Sequence, residues 1–206
     1  MRSRGDSPRG RQPSLFGVVA TDPGPRDLAG LLAGPGELAR MGGTARVGVE
    51  VDAAWRVHVL VAECAARGLP ASWQPADGSG FLVRTAYTVK LLPLARDWST
   101  GGDDKRAPAP LHLNGQALRL WVAAAGHDTP DGYVLRLGAR DETGWPAVGA
   151  ALQALGLPAA LLAAGSGGPA YRITGRRRLA RLAELVGDPP PAAPPESWPV
   201  PPPRRS

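Results

Sequence analysis

The 206-residue sequence predicts an α/β (α+β) fold: a tandem pseudo-two-fold repeat of α-β-β-α-β-β-α units with two antiparallel sheets. Three observations predict it. Residues 99–110 (STGGDDKRAPAP) have linker composition and divide the chain into two parts. Sliding the chain by 90 residues puts Leu28 on Leu118, Gly36 on Gly126 and Trp55 on Trp145. The same shift puts Arg46-Val47-Gly48-Val49-Glu50 on Arg136-Leu137-Gly138-Ala139-Arg140. After a two-residue deletion the offset becomes 88, and Gly68-Leu69-Pro70-Ala71 repeats as Gly156-Leu157-Pro158-Ala159.

The elements follow in the same order in each copy. A helix comes first: Arg26–Gly34 with Asp27 near its start, and Gln116–Ala125 with Asn114 as its cap. A hairpin follows, turning at Gly42-Gly43 or at Pro130-Asp131-Gly132. Its second strand is Thr44–Val51 or Tyr133–Ala139. The second helix is Ala53–Arg67, with Trp55, Val59, Ala62 and Ala66 at helical spacing, and Glu142–Leu155 in copy two. Gly68 and Gly156 end these helices as left-handed caps. A second hairpin pairs Leu69–Gln74 with Gly80–Ala86, and Leu157–Ala163 with Ala170–Thr174. The third helix is Thr88–Trp98 or Gly175–Val186.

The domain organisation is therefore a disordered basic arm over 1–13, a first repeat over 14–98 and the linker over 99–110. A second repeat over 111–187 and a disordered Pro-rich tail over 188–206 complete it. The composition, 43% hydrophobic, supplies a core. The longest apolar runs are too short to cross a bilayer, so no membrane association is expected. The single cysteine, Cys64, forms no internal disulfide, which fits a reduced, cytoplasmic chain. With only His58, His112 and His127 beside it there is no zinc pattern. A monomer with a pseudo-dimeric fold is expected. The pI of about 10.4 suggests a polyanionic partner. Of the net charge of +6, however, residues 1–12 carry +3 (Arg2, Arg4, Arg9 and Arg11 against Asp6). The tail is neutral, which leaves +3 on the folded part.

The first helix contains Leu28-Ala29-Gly30-Leu31-Leu32-Ala33-Gly34-Pro35-Gly36, and Gly36 keeps step with Gly126 in the repeat. This segment, within that element order, resembles the LAGLIDADG homing-endonuclease superfamily over most of residues 26–187. The resemblance implies that two signature helices cross at a pseudo-dyad and two four-stranded sheets form a saddle over DNA. It also implies one metal-holding carboxylate near the end of each signature helix. Pro35 and Ala125 stand at those positions, so no catalytic residues, no metal and no cofactor are expected. Glu37 and Asp128, two and three residues later, read as solvated turn residues. Catalytically degenerate LAGLIDADG domains of this kind occur in WhiA-type bacterial regulators, which the chain resembles.

Other chemistry is sparse. Gly78-Ser79-Gly80 and Gly165-Ser166-Gly167 fall where the repeat places hairpin turns, so they are not nucleophile loops. His58 reads as a packed residue near a buried stripe, and Cys64 as core filler. Strand alternation puts Val47, Val49 and Val51 inward, and Arg46, Gly48 and Glu50 outward. The corresponding outward positions in copy two are Arg136, Gly138 and Arg140, and Arg84 and Arg172 are equivalents on later strands. Arg46, Arg84, Arg136, Arg140 and Arg172 are the candidate nucleic-acid-binding residues, with duplex DNA as partner. A solvated sheet face is the alternative. Arg176, Arg177, Arg178 and Arg181 form a second basic cluster. The competing function is a protein-interaction scaffold, acting through the Pro-rich tail or Trp198.

Overall fold

The computed structural model of the chain describes residues 22–98, 105–163 and 168–199. The expected order holds in both halves. The first contains α1 (Ala29–Ala33), β1 (Glu37–Met41), β2 (Thr44–Val51), α2 (Ala54–Ala66), β3 (Ala71–Pro75), β4 (Phe81–Thr85) and α3 (Leu92–Asp97). The second contains α4 (Gly115–Ala125), β5 (Gly126–Thr129), β6 (Gly132–Arg136), α5 (Trp145–Ala154), β7 (Ala160–Leu162), β8 (Ala170–Ile173) and α6 (Arg176–Val186). Two antiparallel four-stranded sheets result, ordered β1-β2-β4-β3 and β5-β6-β8-β7.

Local chemistry explains the breaks. Gly42 and Gly43, at φ of 55° and 76°, make the two-residue turn that closes the Met41–Thr44 pair. Gly68 and Gly156 are left-handed as expected. Each leaves the next amide to bond back into its helix, Leu69 N–H to Cys64 and Leu157 N–H to Leu152. The Asn114 side chain accepts from Ala117 N–H and caps α4. Asp27, near the start of the expected first helix, is placed differently from Asn114. It lies inside a 3-10 turn, Pro25–Leu28, that leads into α1, and its carboxylate accepts from Gly24 N–H.

One continuous core joins the halves. Its centre is α4, whose residues Leu118, Leu120, Trp121, Val122 and Ala123 have no exposed surface. Every residue of α1 is buried too. A β-carbon on Gly30 would fall on the Ala117 carbonyl, so the two helices meet backbone to backbone. Trp121 closes the far side of the crossing against Gly34 and donates from Nε1 to Arg136 O at 2.8 Å.

Several expectations are corrected. The expected stripe on α2 holds only in part: Val59 is buried and Trp55 is half-buried against the core. Arg56, Val57, Leu60 and Cys64 point inward, and Ala62 and Ala66 are exposed. His58 is exposed and lines a groove beside Trp73. The third helix of the first half begins late: 3-10 residues Val89–Leu91 precede α3, whose first turn holds Pro93.

The segment 188–199 is not a disordered tail. Its Trp198 is 2% exposed, donates to Gly187 O and lies 5.1 Å from the Arg119 guanidinium. Tyr133 Oη donates to Ser197 O across the same surface. Trp198 is thus consumed inside the chain and is unavailable to a partner. Residues 1–13 and 200–206 lie outside the described residues, as do the Gly165-Ser166-Gly167 turn and residues 99–104 of the linker. The remainder of the linker packs against the fold through Lys105. Among the described residues no helix is long and apolar enough to cross a membrane.

Candidate nucleic-acid interface

The sheets each bury one face on helices, and the pairing register assigns the other. Residues directly paired in an antiparallel ladder share a face. In the first sheet Val47, Val49 and Val51 are buried, as expected, and Ala45 with them. The outward face carries Arg46 opposite Ala39, Gly48 opposite Glu37 and Arg84, and Glu50 opposite Leu82. Two carboxylates there balance two guanidinium groups. Arg46 lies over the Tyr87 ring at 4.6 Å, and the Arg84 stem lies against Gly48.

The second sheet is different. Its outward face pairs His127 with Val134, Arg136 with Ala170, and Arg172 with both Val134 and Ala160. No carboxylate occupies one of these paired outward positions. Asp131, in the hairpin turn, approaches Arg172 Nη1 only to 3.7 Å and is itself mostly exposed. Arg172 Nε is buried with no hydrogen-bond acceptor among the described residues. The second sheet is therefore the basic one.

Arg84 and Arg172 are equivalent in register, opposite Ser72 and Ala160 on the neighbouring edge strands. Arg46 and Arg136 share a face but not a position. Arg46 stands two residues beyond the turn-closing Thr44, and Arg136 four beyond Gly132. The hairpin already follows the offset of 88, and an even slip preserves the face because strand periodicity is two. Arg140 is not on a strand. Strand β6 stops at Arg136, and Arg140 sits on the turn that Asp141 N–H closes onto Gly138 O. It is exposed there, beside Glu37, Glu50 and Lys105 in a cleft of about 650 Å³.

Between the sheets lie the carboxyl ends of α1 and α4. Pro35 and Ala125 line one cleft there with Glu50, Asp52, His127 and Arg136. Neither Glu37 nor Asp128 is a turn residue: Glu37 opens β1 and Asp128 lies within β5. Glu37 faces the Lys105 cleft, whereas Asp128 lines neither cleft, so the two do not converge. Among the described residues no three His, Cys, Asp or Glu side chains are grouped to hold a metal ion.

Two cations that sequence reasoning missed occupy these helix ends. Arg56 is 3% exposed and donates to Val122 O, Ala123 O and Gly126 O at 3.3, 2.9 and 2.7 Å, closing the end of α4. Its Nε reaches Asp52 at 2.9 Å. Lys105 donates to Gly34 O and Gly36 O at 2.9 and 2.8 Å, closing the end of α1, and pairs with Asp141. Burial pulls the Lys105 amine below its ordinary value, against the opposing pull of Asp141. The missed signal for Arg56 is its spacing with Leu60, Glu63 and Arg67, one helical face that carries charge. Lys105 offered none, being one charge in a polar linker.

His127 completes the group. Its Nδ1 lies 3.4 Å from Arg56 Nη2, and burial, with the fields of Arg56 and Arg136, lowers its pKa to about 4. The imidazole is neutral at pH 7 and adds no charge to the basic face. The unfolded chain takes up this proton near pH 6.5 and the folded chain only near 4. Stability is thus present above pH 6.5 and falls as the pH drops through that window, by roughly 3 kcal/mol. Denaturant melts of His127→Gln should lose that slope between pH 6.5 and 4. An unchanged slope would remove His127 as its source.

The geometry matches known structures. The homing endonuclease I-WcaI, solved bound to its DNA recognition sequence, is similar at 12% identity and a TM-score of 0.59, over 81% of this chain and 82% of that one. The fold is LAGLIDADG-like. The N-terminal LAGLIDADG domain of DUF199/WhiA is similar at 12% identity and a TM-score of 0.52, covering 80% of this chain and 84% of that domain. I-DmoI in complex with DNA and calcium is similar at 15% identity and a TM-score of 0.50, covering 82% and 94%. No protein-family model and no curated protein sequence matches the chain. Within this LAGLIDADG-like fold, α1 and α4 stand in the place of the signature helices and pack against each other.

Proposed function

We propose that the saddle binds duplex DNA without cleaving it, and that its output is regulatory occupancy of the sequence it covers. The carrying observation is the outward face of the second sheet, where Arg136 and Arg172 face no paired carboxylate and Arg136 is exposed. Guanidinium groups on an open sheet face suit phosphate oxygens and guanine edges. The LAGLIDADG-like fold supports the reading, since I-WcaI and I-DmoI are both known in DNA complexes. Pro35 and Ala125 at the helix ends, with Arg56 and Lys105 closing those ends, favour binding over cleavage. The burial of Trp198 weighs against the tail acting as a scaffold.

The test is a fluorescence-anisotropy titration of random duplex DNA over a salt series. Two or three phosphate contacts give a log–log slope of roughly −2 to −3. Arg136→Ala with Arg172→Ala should weaken binding and flatten the slope by about 2. Arg46→Ala with Arg84→Ala should do less, because Glu37 and Glu50 already offset those charges. Supercoiled plasmid should survive incubation with magnesium. The reading fails if no binding occurs at low salt, or if plasmid is cut in a way that Glu37→Gln or Asp128→Asn abolishes.

A further inference from the structure

Three oxygens converge where α1 ends. They are the Gly34 and Gly36 carbonyls, from the first half, and an Asp141 carboxylate oxygen, from the second. All three are hard donors of the kind that hold magnesium, calcium or manganese. The Gly34 carbonyl also sits at the C-cap of α1. Lys105 Nζ touches each of them, at 2.9, 2.8 and 2.5 Å. An ammonium has three donors, so this one is fully used. The side chain is 8% exposed, which leaves water little access to the group.

The end of α4 is treated in the same way by a different residue. Arg56 reaches three carbonyls there and the Asp52 carboxylate. Each helix end thus holds one fixed positive charge, one carboxylate and a set of main-chain oxygens. The resemblance to the nucleases implies a divalent ion near these ends. The residues present do not fit one: Pro35 and Ala125 offer no carboxylate, and Asp141 and Asp52 at these ends are already engaged by Lys105 and Arg56.

The geometry points to a cation site that the chain fills itself, with the Lys105 ammonium as a tethered replacement for a divalent ion at the crossing of the two halves. Lys105 arrives from the segment that joins the halves, and its partners belong to one half each. The replacement therefore also ties the halves together, whatever the saddle binds. Removing the ammonium leaves the three oxygens facing one another, and a small divalent cation would then relieve their repulsion.

Manganese is the probe, because its electron paramagnetic resonance reports binding directly. The full-length wild type should take up no manganese at low millimolar concentrations, and its melting temperature should be the same with manganese as with EDTA. Lys105→Ala should melt lower in EDTA by about 5 °C or more, since the half-buried Asp141 carboxylate and two main-chain carbonyls lose their shared partner. It should bind one manganese ion with an affinity on the order of millimolar. That binding should restore at least half of the lost melting temperature. Lys105→Ala with Asp141→Asn should show neither uptake nor restoration. Three results would overturn the inference: wild-type uptake that depends on Asp141, a folded Lys105→Ala that ignores manganese, or a Lys105→Ala that stays unfolded with and without it.

Discussion

Gly30→Ala is expected to destabilise the protein by about 3 kcal/mol or more, although alanine is the better helix former by about 1 kcal/mol. The reason is position. The added methyl would fall on the Ala117 carbonyl of α4, and backbone cannot swing aside as a side-chain tip can. Relief requires α1 and α4 to part. Both are buried along their shared face, so parting them opens space around Leu28, Leu32, Leu118 and Trp121. For a chain of this length the melting temperature should drop by roughly 10 °C. Gly34→Ala offers a graded comparison. Its methyl meets the Trp121 ring at 2.6 Å, and the indole can yield, though its bond to Arg136 O would be strained or lost. Scanning calorimetry of both variants reads the difference. A Gly30→Ala protein as stable as wild type would mean that the helices do not meet at this residue.

Gly30 was legible in the sequence as part of the segment that resembles a signature helix, and much of the rest of the fold was legible from local signals. Turns and caps are local. A Gly-Gly pair must turn, and a glycine after an apolar helix must cap, whatever the rest of the chain does. That is why Gly42-Gly43, Gly68 and Gly156 were placed correctly. Alternation along Arg46–Glu50 was also sound, because one buried face fixes every second residue. Pairing across the sheet is not local. The sequence match of Arg46 with Arg136 cannot see that the hairpin turn has already absorbed the deletion, so the two are on one face at different depths.

The candidate site was less legible because its decisive residues are charged and buried. A helical arginine or a linker lysine is ordinarily solvated. Only the fold reveals that Arg56 and Lys105 meet helix carbonyls from the other side of the molecule or from a preceding element. The tail fails for a related reason. Nine prolines in residues 188–206 suggest an unfolded segment, yet Trp198 carries enough apolar surface to seat residues 188–199 on Arg119 and Tyr133.

Arg67→Met is expected to cost about 3–5 kcal/mol, the penalty for breaking a buried charge pair by removing one partner. Arg67 has no exposed side-chain surface, and Asp27 is 6% exposed. The guanidinium bonds Asp27 at 3.0 Å, the Glu63 carbonyl and carboxylate at 2.8 and 2.7 Å, and Gln116 Oε1 at 3.0 Å. It thereby joins the end of α2 to the starts of both crossing helices. Methionine matches the length of the stem but leaves Asp27 with only Gly24 N–H and a long contact to Asn114. Glu63 shares the loss. Burial raises its carboxyl pKa, but hydrogen bonds from Arg119 and Arg67 outweigh burial and hold it below the ordinary value. That contribution is present above the unfolded value of 4.5 and fades as the pH falls below it, so the Arg67→Met deficit should narrow in acid. Adding Asp27→Asn should recover part of the stability, since the second change removes the stranded charge. Urea melts of the two single variants and the double at pH 7 measure the coupling. Additive losses would show that Arg67 and Asp27 act independently, and that the contact between them does not hold the helix starts together.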